Sequence, residues 1–225
     1  MDRHFDGELM DLKNDLMRMA SFVQEAIADS LDALRTLSKG EALEIINDDK
    51  KIDEWELKVD EECLELLALR QPMAVDLRFI TMAMKISTDL ERMADLAVDI
   101  AQRVLELADK PLLKPLEDIP KLSQLAQLVI KDVIEAFVKK DPDMAGKVIL
   151  LDKEADKLRN QVQKELIEYM VKDGTTVSRA VPLLLIARHL ERICDHATNI
   201  AEDIIYMVKA KVVKHHPEEL NNRNP

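Results

Sequence analysis

The chain has 225 residues, of which 47% are hydrophobic and only 3% aromatic, and its formal net charge is -12 at pH 7. This length allows one large domain or two of ordinary size, and a core of Leu, Ile, Val, Ala and Met favours packed helices over a sheet sandwich. The acidic surplus argues against nucleic acid as the main partner, because no basic surface is left to neutralise phosphates. It is compatible with binding of cations or of a basic protein surface.

Apolar residues recur at intervals of three and four along nearly the whole chain, which is the spacing of amphipathic helices. Six long helices are predicted, at about 5–38, 41–69, 75–108, 122–140, 144–172 and 177–213. Three prolines in Asp109–Pro120 mark the connection between the two halves of the chain. Pro182 predicts a kink or a late start in the last helix, and the polar tail is predicted to be disordered.

The chain contains an internal repeat. Residues 90–101, LERMADLAVDIA, return as residues 190–201, LERICDHATNIA, and an Asp-x-x-x-Asp pair on the second helix returns on the fifth. Repetition of this kind indicates a duplicated structural unit. We therefore predict an all-α fold of two tandem three-helix bundles, residues 1–112 and 117–213, followed by a disordered tail at 214–225.

Each copy of the repeat carries an acidic stripe. Glu91, Asp95 and Asp99 stand four residues apart on the third helix, and the same positions of the sixth helix hold Glu191, Asp195 and Asn199. At 100° per residue, the three acids of the third helix lie roughly 100°, 140° and 180° from the core-facing Leu90. The stripes therefore point away from the hydrophobic core.

Two acidic pairs on the preceding helices complete the pattern. In an antiparallel hairpin, Asp49 and Asp53 would approach the stripe of the third helix, and Asp152 and Asp156 would approach that of the sixth. Such oxygen-rich clusters suit hard or borderline divalent cations, with His196 as a further candidate ligand. The alternative is a solvated acidic face, whose charge neighbouring arginines relieve.

No catalytic constellation is visible in the sequence. It has no Gly-rich phosphate loop, no Gly-x-Ser-x-Gly and no His-Glu-x-x-His motif, and it lacks the Glu-x-x-His pair of di-iron bundles. Cys63 and Cys194 occupy apolar positions of helical patterns and are predicted to be buried in the core. We expect them to stay reduced, as thiols do in a reducing compartment. Because neither a secretory signal nor a membrane span is evident, we expect a soluble cytoplasmic protein.

Several of these segments resemble the PhoU family of phosphate-transport accessory regulators. The resemblance covers about residues 8–212 and rests on Leu69-Arg-Gln-Pro-Met-Ala-Val-Asp-Leu-Arg78, Leu90-Glu-Arg-Met-Ala-Asp95 and Leu190-Glu-Arg-Ile-Cys-Asp195, with the Asp-x-x-x-Asp pairs upstream. The family usually has Gly before the last Asp of the Leu-Glu-Arg segments. Ala94 and Cys194 take that place here, which exchanges one small residue for another.

The resemblance implies a cytoplasmic, usually homodimeric protein of two three-helix bundles that restrains phosphate uptake and the phosphate-starvation response. The implied partners are the ATPase subunit of the phosphate transporter and a sensor histidine kinase. Some members of the family bind multinuclear iron or zinc clusters through their Glu/Asp-x-x-x-Asp motifs. Carried over to this chain, the candidate metal ligands are Asp49, Asp53, Glu91, Asp95, Asp99, Asp152, Asp156, Glu191, Asp195 and Asn199. Asn199 replaces a carboxylate found at Asp99, which predicts weaker metal binding in the second half.

Three hypotheses about function remain open on the sequence. The first is a non-enzymatic regulator whose acidic helix faces, with or without iron, zinc or another divalent cation, form a docking surface. The second is a metal-dependent enzyme that uses the carboxylate clusters to turn over a phosphate ester or peroxide. The third is a structural helical module whose acidic stripes are only solvated.

Overall fold

The computed structural model describes residues 3–113 and 117–213, and every regular element in them is helical. The α-helices are α1 (Arg3–Thr36), α2 (Lys39–Asp48), α3 (Lys50–Arg70), α4 (Val75–Leu107), α5 (Asp118–Lys139), α6 (Pro142–Lys172) and α7 (Val177–Lys209), with a 3-10 turn at Gly174–Thr176 before α7. The prediction of an all-α fold built from six long helices is confirmed, with one difference. The second predicted helix is divided at Asp49 into α2 and α3. The predicted disordered tail at 214–225 lies outside the described residues.

The two halves of the chain form the same turn after their first helix. Leu37 and Lys140 both adopt a left-handed backbone conformation, with φ of 52° and 51°. The following residue then caps the next helix: the Ser38 hydroxyl accepts from the Glu41 N–H at 3.3 Å, and Asp141 accepts from two backbone N–H groups. Side-chain acceptors satisfy N–H groups that have no partner within a helix. This match fixes a register between the halves in which a residue of α1 or α2 corresponds to the one 103 positions later.

Pro120 and Pro182 each lie near the start of a helix. α5 begins at Asp118, earlier than predicted, with Pro120 as its third residue, because a helix tolerates proline in its first turn. Pro182 does not delay the start of α7, which begins at Val177. Proline has no N–H to donate to the carbonyl four residues earlier, and the Lys110 ammonium donates to that carbonyl, on Ser178, at 3.3 Å.

α4 and α7 form the centre of the molecule. They pack against each other in antiparallel orientation, as the Lys85–Asp203 and Asp99–His189 pairs require. α4 also packs against α1, α2 and α3, while α7 packs against α5 and α6, and the buried side chains form one continuous core. The apolar residues that recur at helical spacing on α4 and α7 are buried in this core: Ile86, Leu90, Met93, Ala97, Ile100, Val104, Ile186, Leu190, Ile193, Ala197 and Ile200.

The sequence also predicted that both cysteines are buried and that no segment spans a membrane. Cys63 and Cys194 are free thiols and both are buried, as expected. Across residues 3–113 and 117–213, no helix combines the length and the apolar character that crossing a bilayer requires.

Candidate functional site

The first acidic cluster lies where the junction of α2 and α3 faces α4. It comprises Asp49, Asp53, Glu56, Glu91 and Asp95. Partial burial raises the pKa of Asp49, and the charges of Asp53 and Asp95 raise it further. Burial likewise raises the pKa of Asp95, with Asp53 adding to the effect. The structure therefore brings the two predicted pairs into one electrostatic environment.

Glu91 is the most perturbed carboxyl of this cluster. Burial, followed by the charges of Asp95 and Glu56, raises its pKa to about 7, and the nearby Arg92 offsets only part of that rise. Glu91 therefore binds a proton more readily than an ordinary glutamate does, and its carboxyl donates a hydrogen bond to Asp95, which lowers the pKa of Asp95. The first acidic cluster concentrates more negative charge than its surroundings neutralise.

The second acidic cluster, Asp152, Asp156, Glu191 and Asp195, lies between α6 and α7 and contains its own cation. The Arg159 guanidinium donates to Glu191 at 2.9 Å and to Asp156 at 3.0 Å. Glu191 keeps only 14% of its side-chain surface exposed, so this pair is well shielded from water. The sequence reasoning had not singled out Arg159, although its position one turn after Asp156 is visible in the sequence.

The other carboxylates of the second acidic cluster, Asp152 and Asp195, also have raised pKa values. Burial, with the charges of Glu191 and Asp152, raises the pKa of Asp195 to about 6, and its carboxyl forms a hydrogen bond with Asp152. Burial also raises the pKa of Asp152. Arg159 leaves this cluster closer to neutral than the first.

The outer ends of the two predicted stripes lie at the contact between α4 and α7. Asp99 lies 3.6 Å from the His189 ring, and its charge also acts on Asp95. Asn199 donates to Asp89 of α4 at 3.4 Å, and the His196 ring lies 2.7 Å from the same carboxylate. Asp89 was missed because its role depends on how the two repeats pack together.

The donor chemistry of the first acidic cluster fits a divalent cation, although its side chains are not pre-arranged around one. Among the residues described, no three His, Cys, Asp or Glu side chains converge closely enough to hold an ion. The first acidic cluster offers only carboxylate oxygens, which suit hard or borderline ions, and the raised pKa values show that it lacks positive charge. The second acidic cluster fits such an ion less well, because Arg159 already occupies two of its carboxylates.

Comparison with known proteins gives matches over nearly the whole chain. The family model for the PhoU domain matches residues 16–104 and 119–204. A protein of Aquifex aeolicus named as a homologue of the phosphate-specific transport system accessory protein PhoU is 40% identical over 208 residues, which cover 92% of this chain and 94% of that protein. The protein of the same name from Pseudomonas aeruginosa is 34% identical over 218 residues, covering 96% and 89%.

Two solved structures have the same fold. The crystal structure of PhoU from Pseudomonas aeruginosa has a TM-score of 0.89 and 34% identity, and the match covers 92% of this chain and 100% of that one. The crystal structure of the phosphate transport system regulatory protein PhoU from Streptococcus pneumoniae has a TM-score of 0.88 and 31% identity, with 93% and 99% covered.

Proposed function

The chain belongs to the PhoU family, as its repeated motifs predicted, and we propose that it is an accessory regulator of a phosphate transport system. The observation that carries this proposal is the match along nearly the full length of proteins that bear this name, in sequence and in fold. We propose further that it restrains phosphate uptake and the phosphate-starvation response. Its partners in this role are the ATPase subunit of the transporter and a sensor histidine kinase in the cytoplasm.

The protein acts by binding rather than by catalysis in this proposal. Burial raises the pKa of the Cys63 thiol to about 12 and also raises that of Cys194, so neither forms a reactive thiolate near neutral pH. The buried hydroxyls of Ser30 and Ser87 each donate to a backbone carbonyl at 2.8 Å. These side chains serve packing and hydrogen bonding, which supports a regulatory role.

A divalent cation, with iron and zinc as the first candidates, is proposed for the first acidic cluster. Asp49, Asp53, Glu91 and Asp95 would hold it, drawing on both helices of the α3–α4 hairpin. A bound cation would supply the positive charge that these carboxylates lack. The carboxylates themselves would then stay ionised and hold α3 and α4 at a fixed distance, which stabilises this surface for docking.

The proposed regulatory role is tested by deleting the gene from its own host and measuring uptake of radiolabelled phosphate together with a phosphate-starvation reporter. With phosphate plentiful, we expect deletion to raise both, and the wild-type gene to restore them. Co-purification with the transporter ATPase and with the sensor kinase tests the partners. Unchanged uptake and reporter after deletion, with neither partner bound, would contradict the proposal. The homodimer remains a prediction that light scattering of the purified protein measures.

A further inference from the structure

A groove runs between α1 and α2. It encloses about 430 Å³, and part of α4 forms its base. Its apolar lining consists of Phe22, Ala26, Ile45, Ile52, Ala94 and Val98. We call this feature the α1–α2 groove. Volumes of this size accommodate organic groups or side chains rather than a single ion.

Carboxylates border this apolar lining on both sides. They are Glu25, Asp29, Asp32, Glu41, Glu44, Asp48 and Asp49. Asp32 pairs with Arg35 at 3.2 Å, and Asp48 pairs with Lys51 at 2.8 Å. Lys51 is the one basic side chain among the lining residues that the structure describes.

Five of the bordering carboxylates carry uncompensated charge. Within residues 3–113 and 117–213, no ion pair forms at Glu25, Asp29, Glu41, Glu44 or Asp49. Burial raises the pKa of Asp29, and the charges of Glu25, Asp32, Glu41 and Glu44 raise it further. The carboxylates of α1 and α2 therefore repel one another across the groove. Within the described residues, none of these five side chains has an ion-pair partner that would relieve the repulsion.

The second repeat shows that the fold does not require all of this acidic border. In the register that the matching turns fix, Glu25 corresponds to Leu128, Glu41 to Met144 and Glu44 to Lys147, whereas Asp132 and Glu135 keep the charges of Asp29 and Asp32. The buried positions are nevertheless apolar in both halves, as at Ile45 and Val148. The same backbone thus carries an acidic border in the first repeat and a mixed, partly apolar one in the second. Packing alone does not explain the difference.

We propose that the α1–α2 groove binds a basic amphipathic helix of a partner protein, whose apolar side chains enter the groove while its Lys and Arg residues pair with the carboxylates on either side. Charge complementarity selects this occupant, because an acidic border repels nucleic acid and anionic lipid surfaces. The apolar lining selects it over a simple ion, since an ion gains nothing from Phe22 or Val98. Helix-in-groove binding of this kind is a common mode of peptide recognition.

This proposal goes beyond the regulatory function and does not depend on it. The groove shares only Asp49, at its edge, with the first acidic cluster. A purified protein that binds a basic peptide here would do so whether or not it acts on phosphate transport. Failure of either proposal therefore leaves the other standing.

The test is a fluorescence anisotropy titration with a labelled helical peptide of about 15 residues, made of Leu and Lys with all Leu on one face. At about 150 mM salt, where general attraction between exposed charges is screened, we expect saturable binding with a Kd of roughly 1 to 10 μM. The triple variant Glu25→Gln, Asp29→Asn, Glu44→Gln removes three of the five unpaired charges of the groove. It is expected to weaken binding at least about 10-fold.

A matched variant separates the groove from the general acidity of the chain. Asp132→Asn, Glu154→Gln, Glu168→Gln removes the same charge from the second repeat, and it is expected to change the Kd by no more than about 2-fold. Circular dichroism and melting curves establish that both variants are folded. Equal weakening by the two triple variants would overturn the proposal, as would the absence of saturable binding.

Two further arms test the nature of the occupant. A peptide of the same composition with Leu and Lys scrambled has no apolar face, and we expect it to bind at least about 5-fold more weakly. Spermine and Mg²⁺ are expected to compete only at millimolar concentrations, through screening. If the scrambled peptide bound equally well, or if spermine competed at micromolar concentrations, the groove would be a site for small or unstructured cations and the proposal would be wrong.

Discussion

The two acidic clusters occupy equivalent places in the two repeats, yet they differ in how their charge is balanced. Both consist of an Asp-x-x-x-Asp pair on one helix and a Glu-x-x-x-Asp pair on the next. The residue three positions after the first pair is Glu56 in the first repeat and Arg159 in the second. This one exchange reverses a charge beside four carboxylates. The fold therefore tolerates either arrangement, and the second contains a cation that offsets part of its negative charge.

The comparison indicates that the two copies of the duplicated unit use the same carboxylate positions in different ways. Arg159 contacts two carboxylates and stabilises the second acidic cluster without any ligand. In the first acidic cluster, Glu56 adds negative charge instead of offsetting it, and this charge raises the pKa of Glu91. Charge arrangements that cost stability are typical of binding sites. We therefore propose the cation site for the first repeat and a structural role for the second acidic cluster.

The largest expected effect is on cation binding when each cluster is disabled in turn. Glu91→Ala with Asp95→Ala should weaken binding of Zn²⁺ or Fe²⁺ by about 100-fold, because it removes two of four charged ligands. The matched pair Glu191→Ala with Asp195→Ala should weaken it by no more than about 3-fold. Isothermal titration calorimetry measures both. An equal loss in the two double variants would remove the distinction between the repeats.

Exchanging the distinguishing residue sharpens the comparison. Glu56→Arg introduces into the first repeat the guanidinium that the second possesses, and we expect cation affinity to fall about 10-fold because the arginine competes for the same carboxylates. Glu56→Gln, which removes the charge without adding a competitor, should lower the affinity by no more than about 3-fold. If the arginine variant bound the cation as well as wild type, the assigned role of Arg159 would be wrong.

The second acidic cluster should be the one that depends on its arginine for stability. Arg159→Gln leaves Asp156 and the shielded Glu191 without their cation, and we expect the free energy of unfolding to drop by about 1 to 2 kcal/mol. Chemical denaturation in the presence of a chelator measures this change. Glu56→Gln is the matched control and should leave stability unchanged or increase it slightly. If Glu56→Gln lowered the free energy of unfolding and Arg159→Gln did not, the roles given to these two residues would be wrong.

The smallest expected effect is a pH dependence that comes from Glu91. Its pKa is about 7 in the folded protein, above the ordinary 4.5, so between these values the folded state binds more protons than the unfolded state. The stability that this group contributes is complete below about pH 4.5 and is lost as the pH rises through 7. Glu91→Gln cannot ionise, so it avoids this loss of stability at high pH. Because solvent screens the repulsion, we expect the variant to stabilise the metal-free protein at pH 8 by only about 1 kcal/mol, or about 2 to 4 °C in Tm.

Glu191 provides the matched test of that pH effect. Because it bonds to Arg159 at 2.9 Å, Glu191→Gln should lower Tm at pH 8, opposite to Glu91→Gln. Thermal melts of both variants and of wild type at pH 5 and pH 8, with chelator present, measure the direction in which each variant changes Tm. A lower Tm for Glu91→Gln at pH 8 would show that its charge is compensated after all.

Much of the fold could be predicted from the sequence because helix periodicity is a local signal. The core stripes of α4 and α7 and the internal repeat follow from residue spacing alone. The division at Asp49 could not be predicted, because no Gly or Pro marks it. The four carboxylates on α3 and α4 were identified, yet Glu56 and Arg159 were missed because the reasoning followed the Asp-x-x-x-Asp pattern. Asp89 becomes relevant only when α4 packs against α7.

The most direct test of the asymmetry is an anomalous difference map from crystals of the full chain soaked with Zn²⁺ or Fe²⁺. The account predicts a strong peak between α3 and α4, within ligand distance of Asp49, Asp53, Glu91 and Asp95. It predicts no comparable peak beside Arg159 in the second repeat. A map with the stronger peak in the second acidic cluster, or with no peak in the first, would contradict the account.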